Sequence, residues 1–111
     1  MNAPRRLLIT LALACALGAP TAYANCQLPP APSKIPDGAT ASKQQMLTAM
    51  QTIQEYNHDV QTYLKCLDFE VRQNQMSSDD QVSLHNAAVD QLQRIAAQFN
   101  KQVLAFKAKH S

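Results

Sequence analysis

Beyond Gly38 the chain has neither glycine nor proline, so residues 39–111, 73 in all, lack both of the residue types that most readily end a helix. The same stretch is rich in Ala, Gln, Leu, Lys and Met, which lose little on entering a helix. It reads as two helices, about 42–74 and 78–109. Ser42-x-x-Gln45 has the form of a capping box, which fixes the start of the first. Apolar residues follow at Met46, Met50, Ile53, Val60, Leu64, Leu67 and Val71, with Asn57 as the one polar member, spaced alternately four and three apart. Residues 74–78 form the break. Asn74 tolerates a left-handed cap, and Ser77 or Ser78 can cap the next helix, with Asp79 and Asp80 against its positive end. The second seam reads Val82, His85, Val89, Leu92, Ala96, Phe99, Val103, Phe106, and Lys101, Lys107 and Lys109 lie toward its negative end. A connection this short makes the helices antiparallel neighbours. The expected fold is all-α: a two-helix hairpin over 42–111, preceded by a proline-rich extended segment over 25–41.

That segment carries Pro29, Pro30, Pro32 and Pro36, a density that excludes helix and favours polyproline II, and it ends on an Asp37-Gly38 turn signal. Before it, residues 1–24 have the form of an export signal. Arg5 and Arg6 precede the apolar stretch 7–19, which ends at Pro20 and is followed by Ala22-Tyr23-Ala24. A membrane span needs about 20 apolar residues, so this stretch is read as a cleaved signal and no span is expected after cleavage. Lipidation at Cys15 is the rival processing route. Removing Arg5 and Arg6 leaves eight basic residues against eight acidic ones, with no basic excess to hold nucleic acid.

Cleavage after Ala24 leaves Cys26 and Cys66. In a periplasmic or secreted chain an even pair is expected to form a disulfide, here across 40 residues of sequence. The spacing is unlike the C-x-x-C of redox catalysts. Ser42 to Cys66 is about 36 Å of helix, and residues 26–40 can reach about 46 Å when extended. The tail can therefore run back along the first helix and pin itself at Cys66, with Leu28, the prolines and Ile35 covering Tyr56 and Tyr63. Each helix seam still has one partner only, and chains this small usually need a staple or self-association, so two hairpins pairing into a four-helix bundle is a further expectation.

Candidate chemistry is sparse. His58, His85 and His110 form no H-x-x-x-H or H-E-x-x-H spacing. His85 is placed by the seam near Asp68, within reach of a structural hydrogen bond. Asp79 and Asp80 suit a helix start, while Asp68 and Glu70 point to different helix faces. No serine has an adjoining base. The sequence assigns no catalytic residue, metal site or cofactor, and an enzyme is not expected.

Two resemblances arise. Pro36-Asp37-Gly38-Ala39-Thr40-Ala41-Ser42, Met46, Tyr63-Leu64-x-Cys66-Leu67 and His85-Asn86-Ala87-Ala88-Val89 together resemble a set of small exported proteobacterial proteins of uncharacterised function, across most of the chain after the signal. Leu47-Thr48-Ala49-Met50-Gln51 resembles the LTxxQ motif of the periplasmic helical chaperones, although no second copy is present. The expected function is a non-catalytic helical interaction module of the cell envelope that binds a protein partner or itself. The alternative is a periplasmic holdase-type chaperone or small protein inhibitor.

Overall fold

The computed structural model describes residues 26–111. The export reading of residues 1–24 and the Cys15 alternative lie outside them. Helix α1 is Lys43–Arg72, 30 residues, and helix α2 is Ser78–His110, 33 residues. The capping box at the start of α1 is complete. The Gln45 N–H donates to Ser42 Oγ at 3.1 Å, and the Ser42 N–H donates to Gln45 Oε1 at 2.8 Å. Two of the backbone donors that every helix start leaves unpaired are thereby satisfied.

α1 ends two residues before the expected boundary, because Asn74 takes the left-handed cap conformation and so lies outside the helix. Asn74 has φ 58°. Its N–H donates to Val71 O at 3.0 Å, and the Gln75 N–H donates to Glu70 O at 2.8 Å. That pair of bonds is a Schellman closure, and it reverses the chain. Ser77 Oγ then accepts from the Asp80 N–H at 3.1 Å and opens α2. Asp79 and Asp80 lie in its first turn, and Lys107, Lys109 and His110 in its last, each sign where the macrodipole favours it.

The helices pack antiparallel against one another. Val60 and Leu67, 0% and 1% exposed, are the largest fully buried side chains of the core, each worth about 1.5–3 kcal/mol of transfer free energy. Tyr56, Tyr63, Leu64, Ala88 and Ile95 surround them, and Met76 closes the cluster from the connecting turn. Among the described residues, no helix is long and apolar enough to cross a membrane.

Both seams differ from the expected ones in the same way. On α1, Met50 and Asn57 are exposed, while Tyr56, Tyr63 and Glu70 are buried. On α2, Val82 is 55% exposed and His85 is also exposed, while the inward line runs Leu84, Ala88, Ile95. The cause is a third layer. The proline-rich segment lies in the groove between the helices, so the buried arc of each helix is drawn round toward it.

Candidate functional site

The groove that holds the N-terminal strap is the most built feature of the described residues. At the turn end of the hairpin, Cys26 is bonded to Cys66, with Cα atoms 5.6 Å apart. From there Leu28, Pro29, Pro30 and Ala31 pass over a hollow lined by Tyr56 and Tyr63 of α1 and by Leu84, Ala88 and Gln91 of α2. Pro32, Ser33 and Ile35 continue beside Gln98, Lys101 and Gln102 of α2, and Ile35 and Pro36 also border Thr48 and Ala49 of α1. The expected strap along α1 alone is therefore corrected: the segment contacts both helices. Prolines suit this path, because an extended segment between two helices gains no ladder hydrogen bonds that a missing N–H would break.

Gly38 shows how close that contact is. Its N–H donates to Gln102 Oε1 at 2.9 Å. A Cβ at this position would overlap the Gln102 carbonyl oxygen and lie 2.8 Å from its carbonyl carbon and 2.9 Å from the Phe106 backbone nitrogen. The glycine is required by the approach of strap backbone to helix backbone and not by a positive φ, which it does not have. Asp37 shapes the turn that follows. Its Oδ1 accepts from the Ala39 N–H at 2.9 Å and its carbonyl from the Ala41 N–H at 2.8 Å, which delivers the chain to the Ser42 cap.

Tyr56 and Tyr63 are 4% and 6% exposed. Burial raises the pKa of both hydroxyls above the ordinary tyrosine value, because the phenolate loses its hydration there. Glu70, one turn beyond Cys66, is buried, and its carboxylate lies within 4.8 Å of both sulfurs. Three such groups could hold a soft or borderline metal only as free thiolates, and in this structure the two sulfurs are bonded to each other.

The histidines are not brought together. His58, His85 and His110 are all exposed. Asp68 accepts from Gln81 Nε2 and not from His85, which corrects the expected pairing. His110 stacks on Phe106 at 4.0 Å between ring centres, at the far end of α2. Sequence reasoning missed Glu70 and the backbone role of Gly38. Glu70 was within reach of it: residue 70 is four beyond Cys66, so a buried Cys66 face carries Glu70 with it.

Comparison with family models, with curated proteins and with solved structures finds no match to this chain.

Proposed function

We propose that this chain is an exported, non-catalytic interaction module of the cell envelope. The observation that carries the reading is an asymmetry of the hairpin. One groove is filled by a covalently pinned strap. Large apolar side chains remain in solvent on α2, Val82 and Leu104 at 55% and 67% exposed. A chain that secures one side with a disulfide and leaves apolar residues outward is suited to presenting a fixed surface to another protein. The signal-like pattern of residues 1–24 and the disulfide both support an oxidising compartment, periplasmic or secreted. The reading gives no residue a catalytic role and invokes no cofactor. A photo-crosslinking residue placed at Leu104 in living cells tests it. Crosslinks to a protein from Leu104, absent from a control at strap residue Lys34, are the expected result. No protein crosslink from either position removes the proposal.

One observation favours the chaperone alternative. Leu47 and Met50 of the LTxxQ-like stretch are 39% and 38% exposed on α1, available to an unfolded client. Suppression of the aggregation of a heat-unfolded client at substoichiometric amounts would support this reading. No suppression at molar excess would eliminate it.

A further inference from the structure

The outward face of α2 is complementary to itself. The residues of α2 that meet the strap include Leu84, Gln91, Gln98 and Gln102. Two positions beyond each stands Asn86, Gln93, Asn100 or Leu104, about 200° around the helix. Those four belong to a band that runs Asp79, Val82, Asn86, Gln93, Ala97, Asn100, Leu104, Lys107, spaced three, four or seven apart. Every member is exposed or half-buried. None of these side chains belongs to the core or to the apolar residues packed against it.

The stripe is palindromic in chemistry about Gln93. Val82 and Leu104, the most exposed large apolar side chains of α2, stand eleven residues on either side of it. Asn86 and Asn100 stand seven away, and Asp79 and Lys107 fourteen away. Charge follows the same division. α2 has no basic residue from 78 until Arg94 and no acidic residue after Asp90. Parallel pairing of two such helices would set like charges side by side, whereas antiparallel pairing sets the acidic half of each along the basic half of the other.

We infer that this face binds a second copy of the chain, antiparallel, with a two-fold axis at Gln93. The interface is isologous: Val82 packs against the partner's Leu104, Asn86 meets the partner's Asn100, and Asp79 pairs with the partner's Lys107, each contact occurring twice. The outcome is a four-helix assembly in which the straps lie on the outside. The inference rests on the interaction-module reading and names the occupant of its surface. A helix pair of about 42 Å is at the small end of stable interfaces, so association in the micromolar range is expected.

The test uses the chain expressed from its full sequence and isolated with its disulfide intact. Sedimentation equilibrium up to about 200 µM should give a dimer, a range set by the affinity expected for a small interface. Val82→Glu or Leu104→Glu should weaken association about 100-fold, since each change acts at two symmetric contacts. Both positions are exposed, so the circular dichroism melt should shift little. Asp79→Lys and Lys107→Asp should each weaken the dimer alone, and mixing the two variants should restore association, because only the mixed pair has opposite charges at both ends. Gln93→Cys, on the axis, should oxidise to a covalent dimer. Asn86→Cys should do so only when mixed with Asn100→Cys. A monomer throughout the concentration range overturns the inference while leaving the module reading intact, with the face open to another protein. A dimer indifferent to Val82→Glu, to Leu104→Glu and to the charge exchange overturns this geometry.

Discussion

Removing the Cys26–Cys66 bond, by the double change Cys26→Ser with Cys66→Ser, should cost most of the stability of the fold. The bond closes 40 residues of sequence, and the chain-entropy model puts its constraint on the unfolded state at about 4 kcal/mol. The strap's other anchors do not replace it. Gly38 makes one hydrogen bond to Gln102, worth about 1 kcal/mol net. Once the bond is gone, the first residues of the strap can leave the hollow over Tyr56 and Tyr63. At about 2.1 cal/mol/K of unfolding entropy per residue, 4 kcal/mol over the 86 described residues corresponds to a fall of roughly 20 °C in melting temperature. Thermal melts of the oxidised chain and the double variant, followed by circular dichroism at 222 nm, measure this. Tyrosine accessibility to a fluorescence quencher should rise in the variant below its melting temperature. A shift under about 5 °C, a small part of the disulfide effect computed above, would refute the reasoning. So would a large shift with the tyrosines still shielded, because the strap would then be held by something other than the bond.

Three further outcomes follow from particular contacts. Gly38→Ala should destabilise by about 2–4 kcal/mol, since its methyl group meets helix backbone that cannot move aside, and urea melts should place its midpoint well below that of Lys34→Ala. At Asn74, with φ 58°, Asn74→Gly should be neutral or slightly stabilising, while Asn74→Val should cost about 1–2 kcal/mol, checked by the same melts. Alkaline pH should loosen the strap. Tyr56 and Tyr63 hold their protons more tightly when folded, so their contribution is complete below the unfolded value of about 10 and falls as pH rises from there through the higher folded values. A pH titration of the melting temperature should show a drop above pH 10 that is smaller in Tyr63→Phe.

The hairpin was legible because its signals are local. A long stretch without glycine or proline, a capping box at Ser42 and Gln45, and an asparagine at the turn each act within a few residues. The buried side of each helix was less legible, because it depends on a segment far away in sequence. α2 carries two apolar lines, Leu84, Ala88, Ile95 and Val82, Val89, Val103, and periodicity alone weights them alike. What separates them is the strap, and the strap's path is fixed by two distant attachments, Cys66 on α1 and the side-chain oxygen of Gln102 on α2. Gly38 reads in sequence as a turn residue. Its demand for space arises only once α2 lies against it. The line that periodicity favoured on α2 is split: Val89 and Leu92 pack against the core, while Val82 and His85 are exposed.

A disulfide-strapped module that works by association is tested most directly by native mass spectrometry of the chain isolated from the cell envelope without reductant. The predicted result is a chain beginning at Asn25, two hydrogen atoms lighter per bonded cysteine pair than its reduced form, present in an assembly of two or more chains. Full-length chains with free thiols, or a solitary monomer at micromolar concentration, would contradict it.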